Sequence, residues 1–569
     1  MLPVLPKAGK LKEKQINIFG GIDRRDVARE NCFSSLAGVD NINGNMIETR
    51  SEYLTPKISD AVGSNNIFAI ENDSGNVDIY HLGNGGFYKN GTLLPFIMLY
   101  NVSVSTTTFD LIDKDVTLNK SGTYIACNWA GNYADTKLIR YGNYIFAIPQ
   151  MLFTDGTNTY RWNCGAGFYA PYATGAYSSN KLSLNIGDSV KTKIMKWYQV
   201  GDVVDLYVNG NYKDANFTIQ SSDTGIFVIK CLNNDGGTYD YTKLNMSSSG
   251  NYIFIKHKNV PIFADSAAVY NRMWGVAGNR VYCSRLSHPF TFAESDGTSS
   301  DAWWADTESS QDFTAISSLN SRIVAFKPDS AYEIYGTVSP YSIKDVSRSL
   351  GCIDRNSLAE VNGVLFLLTQ EGVSVYGGTK FINIDNEFKS QSTSAYAQSL
   401  GSKYYILIDG GVYKYDYYSG LWTSLIDYEF TNLIKMAGDI FGRKQDGSLI
   451  QLTGDKKNFL TYGDNYENQW EMESVTIGGE DFYTEEINRL ELRFECISEG
   501  NISVAISRDG GEYETYASET VSIGWQIITV PISMKPCSNF RYKIYGKGKI
   551  HLRLVKYCYR KGGNANKYE

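Results

Sequence analysis

The feature that most constrains this chain is a hairpin that keeps returning. A short apolar strand meets a Gly/Asp/Asn turn, then a strand rich in Val, Ile and Tyr. Seven copies stand out, at 66–82, 143–162, 272–286, 322–336, 363–378, 403–417 and 438–454. In the last five the turns fall near Asn279, Asp329, Glu371, Asp409 and Asp446, at intervals of 50, 42, 38 and 37 residues. A period near 40 residues with four short strands per unit is the pattern of propeller blades. One blade cannot bury both faces of its sheet, whereas blades stacked side by side bury a continuous core. The run Val364 to Leu368 suits an inner strand covered on both faces. The expected fold is therefore all-β: a β-propeller of six to eight blades, with seven preferred. A series of hairpins arranged in sandwiches is the alternative.

Two gaps break the period, 81 residues from Gly75 to Gly156 and 123 from Gly156 to Asn279. The second has room for an inserted domain. Its segment 195–231 reads as four or five short strands, and 163–190 before it reads as loop. From about 470 to 560 the pattern changes to clean alternation over about six strands, as in RLELRFECI and NISVAISRDGGEYETYA, which suggests an antiparallel sandwich. The expected layout is an extended N-terminal arm or ring-closing segment (1–60), first blades (61–162), an inserted β-barrel or sandwich (163–260), remaining blades (261–465), a C-terminal β-sandwich (466–560) and a polar tail (561–569).

Composition agrees. The chain of 569 residues carries 42 Tyr and 53 Gly but only 10 Met, which favours strands and turns over helices. A net charge of −7 supplies no global field to attract nucleic acid. Nine cysteines, Cys32, Cys127, Cys164, Cys231, Cys283, Cys352, Cys496, Cys537 and Cys558, include no CxxC pair, and they read as reduced, buried thiols. The first residues, MLPVLPKAGKLKEK, lack the apolar core of a leader peptide, and no stretch approaches the roughly 18 apolar residues of a membrane span.

The search for chemistry yields little. Four histidines, His81, His257, His288 and His551, lie far apart with no HxH or HExxH spacing, so no metal site is expected. No nucleophile elbow or P-loop occurs. Propellers include glycosidases, so carboxylates matter. Ser507-Arg508-Asp509-Gly510-Gly511 begins like a sialidase turn, but Tyr513 is misplaced by one position and a hairpin turn is the better reading. Asp301, Asp306 and Glu308 sit beside Trp303 and Trp304, as in sugar-handling sites, though an inter-blade loop with packing tryptophans is the plainer reading. The turn Asn72-Asp73-Ser74-Gly75 lacks the spacing of a complete calcium loop. The residues thus point to a chain without enzymatic activity and without cofactors.

Several strings together carry a resemblance. They are FGGIDRRDVARENCFSSLAGVDNINGNMIETR near the start, then NRMWGVAGNRVYCSRLSHPFTF (271–292), FTAISSLNSRIVAFKPDSAYEIYG (313–336) and SLGCIDRNSLAEVNGVLFLLTQEGVSVYGG (349–378). With the C-terminal alternating segment, this succession resembles bacteriophage tail-nozzle and tail-stabilisation (tail hub) proteins. The resemblance implies a structural virion protein, assembled in the host cytoplasm as a homo-oligomeric ring, typically a hexamer. The ring would sit below the portal and adaptor proteins, dock tail fibres or spikes, and line the channel for DNA ejection without binding DNA specifically. Arg24, Arg25, Arg29 and Arg50 are then the candidate assembly contacts of the arm. Trp303 and Trp304 are a candidate loop contact or glycan surface. Rival readings are a carbohydrate-binding or glycoside-cleaving propeller and a receptor-binding tail tip.

Overall fold

The computed structural model describes residues 11–564 apart from 26–27, 43, 51, 59–65, 101–115, 122–123, 132, 134, 163–165, 171–180, 186, 210, 222–225, 233–243, 245, 247–249, 293–297, 299, 386–390, 427–428, 479–482 and 533–536. The protein is all-β, and its α-helix among the described residues is the short Asp188–Ile194. No helix there is long and apolar enough to cross a membrane. The chain forms two compact units, one of residues 1–57, 356–433 and 438–569, the other of 58–355 and 434–437.

The second unit is built on antiparallel meanders. One comprises Phe68–Glu71, Val77–Gly83, Gly86–Lys89 and Thr92–Leu93. The next in this style are Asp265–Val269, Arg272–Ala277, Arg280–Cys283 and Trp303–Asp306, then Ala315–Leu319, Arg322–Phe326, Ala331–Tyr335 and Ser342–Ser347. The first unit holds two more, Ala359–Val361 to Phe381–Asn383 and Tyr396–Leu400 to Leu421–Ile426. The strand Val364–Thr369 buries Leu365, Phe366, Leu367 and Leu368 completely. Each such side chain contributes about 2 kcal/mol of transfer free energy.

A local device recurs in these sheets. Ala264, Thr314 and Thr431 each donate a backbone hydrogen bond to the residue twelve positions on, Val276, Phe326 and Arg443, at 2.8, 2.8 and 2.9 Å. Phe263 and Phe430, just ahead of two of these donors, lie over Gly275 and Gly442. A Cβ on either glycine would stand 2.4 or 2.5 Å from the ring. The glycine leaves the room that the phenylalanine fills.

Two expected boundaries are corrected. The insertion at 163–260 is not a separate domain. Its strands Ala166–Ala170, Val203–Val208, Asn211–Ser221, Ile226–Leu232 and Asn251–His257 share one 13-stranded sheet with the meander Lys137–Tyr141, Tyr144–Ile148, Leu152–Thr154 and Thr159–Arg161. The strand Phe96–Tyr100 runs parallel to both Thr159–Arg161 and Ala166–Ala170 and joins them. One core also spans the join, with Phe146, Phe153 and Trp162 packed with Leu206, Phe217, Ile255 and Phe290. Much of the expected loop at 163–190 (163–165, 171–180 and 186) lies outside the described residues, as do 565–569 of the tail.

The segment 1–60, over its described part, is not an extended arm. Leu11–Ile16 and Met46–Thr49 pair with the last strand, Ile550–Asn564, and Phe33–Ala37 pairs with Trp470–Ser474. These N-terminal strands complete a sandwich whose other strands are Tyr483–Cys496, Gly500–Arg508, Glu514–Val521, Gly524–Pro531 and Asn539–Lys547. The physical reason is backbone satisfaction. Without them two sheet edges would carry unpaired N–H and C=O groups. Leu54 further bridges Gln451, beside the pair Asp439–Arg443 and Leu449–Gln451. A buried ion pair between Lys414 and Asp40 fixes the same segment to the strand Gly411–Asp416. Gly20 and Gly21 allow the close fit: a Cβ on Gly21 would lie 2.5 Å from the Trp422 carbonyl oxygen, and Ile22 N–H donates to that oxygen at 2.9 Å.

Candidate functional site

Three separated residues of the second unit meet in its interior. Asp202 lies in the turn before Val203–Val208, His257 ends Asn251–His257, and His288 follows Arg280–Cys283. All three are buried. His257 Nε2 is 3.2 Å from Asp202 Oδ2, and His288 Nε2 is 4.0 Å from the same oxygen. The Gln199 amide donates to Oδ2 at 2.7 Å, and the Thr291 hydroxyl donates to Oδ1 at 2.9 Å. Thr291 Oγ1 is also 2.8 Å from His288 Nδ1. Tyr198 stacks on His257 with ring centres 4.2 Å apart. Burial opposes the Asp202 charge, but the two imidazoles and the Gln199 amide outweigh it and hold the carboxyl below its ordinary value. Burial pushes the His288 imidazole down to about 4, against the pull of Asp202.

A second feature is a cleft of about 240 Å³ lined by Tyr270, Arg272, Trp274, Ile323, Tyr341 and neighbours. The Arg272 guanidinium is held at its rim, donating to the carbonyls of Ser284 and Asp301 at 2.6 and 2.7 Å.

The residues singled out from sequence fall elsewhere. Trp303 and Trp304 are in a strand, not a loop. Trp303 packs on Trp274 and Tyr341, with ring centres 6.3 and 5.5 Å away, and the Arg280 guanidinium covers Trp304 at 4.4 Å. Their carboxylate neighbours do not converge. Asp301 is buried and accepts from the Thr298 amide, Asp306 pairs with Arg280, and Glu308 is exposed. Arg25 grips buried Asp23 through two hydrogen bonds of 2.9 and 2.7 Å, and the Arg29 amide donates to the same carboxylate at 3.1 Å. Arg24 lies over the Tyr413 ring at 5.7 Å, and Arg50 donates to the Leu452 carbonyl at 2.8 Å. The four arginines thus bind their own unit. The expectation of no metal site overlooked the Asp202 cluster, because its members are brought together by strand pairing rather than by spacing. Cys32, Cys231, Cys283, Cys352, Cys496, Cys537 and Cys558 are buried.

On the sandwich, Gly524–Pro531 is an edge strand. Ile523, just before it, and Trp525 and Ile527 within it are 69%, 67% and 63% exposed.

No protein-family profile and no curated protein matches this chain. Solved structures similar to it include an exo-beta-1,3-galactanase from Phanerochaete chrysosporium (10% identity, 74% of this chain, 95% of that chain, TM-score 0.18). A glycoside hydrolase family 43 arabinoxylan arabinofuranohydrolase from Bacillus subtilis (10%, 87%, 96%, 0.15) is another. The AfRom2 CNH domain (10%, 62%, 99%, 0.24) is a third. Two of these three are glycoside-cleaving enzymes by name, and against them the expectation of a chain without enzymatic activity does not stand. At such TM-scores no residue or reaction is carried over from them.

Proposed function

We propose that this chain is a subunit of a bacteriophage tail, a nozzle or stabilisation ring assembled below the portal and adaptor proteins. The resemblance supports this: its three central runs fall on three successive four-stranded sheets, the first two of which carry the twelve-residue hydrogen-bond device. In this reading the five four-stranded meanders, the meander at 137–161 and the sheet ending at Leu449–Gln451 are seven blades of one propeller. Leu54 adds N-terminal backbone beyond the last of them.

The observation that carries the assembly half of the proposal is the row Ile523, Trp525 and Ile527. An exposed apolar row on an edge strand invites pairing and is tolerated when another chain covers it. Here the cover is a neighbouring copy, and a ring needs that contact to be heterologous with a rotation that closes. The test is electron microscopy of the purified chain, alone and with its portal and adaptor proteins. Closed rings with a central channel are expected, and Trp525→Lys should leave monomers. A wild-type chain that stays monomeric with those partners present would sink the reading.

A second reading is a carbohydrate-binding or glycoside-cleaving propeller. The cleft favours it, because Tyr270 and Tyr341 line it beside Arg272. It predicts glycan binding or sugar release that Tyr341→Ala weakens at least tenfold. The Trp304 face already lies under Arg280 and is poorly placed for a sugar ring.

A further inference from the structure

We propose that Asp202, His257 and His288 hold a divalent first-row transition cation, Zn²⁺ or a close relative, as a structural clamp inside the second unit.

The argument is a count of protons. Thr291 has one hydroxyl hydrogen, and it goes to Asp202 Oδ1. Thr291 Oγ1 can then only accept at its 2.8 Å contact with His288, so the proton of the neutral ring sits on Nδ1. His288 Nε2 is left as a bare lone pair. It is buried and makes no hydrogen bond, and its residue is 3% exposed. The Trp197 carbonyl interacts with the ring as a further acceptor, so it offers the Nε2 lone pair no proton. That lone pair lies 4.0 Å from a carboxylate oxygen. Two acceptors stand at that distance with no donor between them, in an interior where an unpaired polar atom is costly. A cation between them supplies the partner that His288 Nε2 lacks.

The donor set is chemically apt. The ligand atoms of the three residues lie within 4.8 Å of one another. Two imidazoles and one carboxylate suit Zn²⁺ and its first-row neighbours and are a poor cage for Ca²⁺ or Mg²⁺. With metal–ligand bonds of about 2.0–2.1 Å, neighbouring ligands around a tetrahedral ion stand roughly 3.3 Å apart. The His257–Asp202 separation of 3.2 Å already fits, and the His288–Asp202 separation of 4.0 Å must close by less than an ångström. Thr291 holds the far nitrogen of His288 and the second oxygen of Asp202 at once, the outer-shell arrangement that orients metal ligands. The step balances simply: the cation takes the lone pairs of both Nε2 atoms and of Asp202, and the proton that His257 Nε2 gives up is carried on Nδ1 of the same ring, which binds as a neutral imidazole. A water completes the fourth position. With all three ligands buried, the site is closed, and its work is to tie the start of Val203–Val208 and the end of Asn251–His257 to the turn at His288.

The test uses the full chain purified without chelators. Elemental analysis should find about one transition ion per chain. After stripping with a chelator, Zn²⁺ should raise the melting temperature by at least about 3 °C, and Co²⁺ should give the visible absorption of a tetrahedral site. His288→Ala and His257→Ala should lose the absorption. Should these variants fail to fold, the wild-type chelation and readdition experiment still decides. A wild-type chain that arrives without metal, gains no stability from Zn²⁺ and gives no Co²⁺ band overturns the proposal. So does a Co²⁺ band that survives unchanged in both histidine variants.

Discussion

The meander sheets and the terminal sandwich are built from the same material by opposite means. In the meanders each strand pairs with its neighbour in sequence across a short turn, as in Arg272–Ala277 with Arg280–Cys283 or Val364–Thr369 with Gly372–Tyr376. In the sandwich the first strands pair with the last, as Leu11 with Arg560 and Ile47 with Leu552. Low contact order makes the first kind locally self-sufficient, and the second exists only when distant segments meet.

The sharpest way to break this contrast is to delete residues 1–57. The meanders keep the pairing of strand to strand within each sheet, whereas both sheets of the sandwich lose strands and expose edges. We expect no soluble, monodisperse chain by gel filtration, and a well-behaved truncation would mean the sandwich is complete without them.

Next come the glycines under the phenylalanines. Gly275→Val and Gly442→Val each force a side chain into an aromatic ring, at a cost of about 2–3 kcal/mol. Matching losses in denaturant unfolding would support equivalent repeats, and a loss at one site alone would argue against equivalence.

A similar magnitude attaches to Asp23. Burial would raise its carboxyl, but the Arg25 fork and the Arg29 and Arg25 amides overcome that and hold it down at about 2. A lowered carboxylate stabilises the fold fully above its unfolded value near pH 4, and the contribution fades as pH falls toward 2. About 2 kcal/mol should be lost across that window in acid titrations of unfolding. Asp23→Asn should flatten that part of the profile.

The smallest effect is expected at the exposed row. Trp525→Ser removes no intrachain core packing and should change stability by no more than about 0.5 kcal/mol, even where it abolishes assembly. A large loss of monomer stability would move Trp525 from interface to core.

The same contrast explains what could be read from the sequence. The turns at Asn279, Asp329, Glu371, Asp409 and Asp446 all lie between paired strands, because hairpin signals are written in adjacent residues. The parallel join at Phe96–Tyr100 and the N-terminal strands left no such mark. The strand Phe33–Ala37 has the pattern of a short half-buried strand, but nothing in it names Trp470–Ser474 as its partner. The Asp202 cluster was hidden for the same reason: His257 and Asp202 are 55 positions apart, and only the pairing of Val203–Val208 with Asn251–His257 brings them together. Trp303 and Trp304 drew notice as a doublet, yet alternation in a strand sends their rings to opposite faces and separate partners.

The pairing of the first strands with the last also imposes a timetable on synthesis. A ribosome delivers Val39–Ile42 and Met46–Thr49 long before the strand that Met46–Thr49 needs, Ile550–Asn564, about 500 residues further along. The segment 58–355 has its partners within reach and can fold while translation continues. The N-terminal strands must wait, exposed, until that distant strand has emerged, so the sandwich closes well after the sheets between its halves.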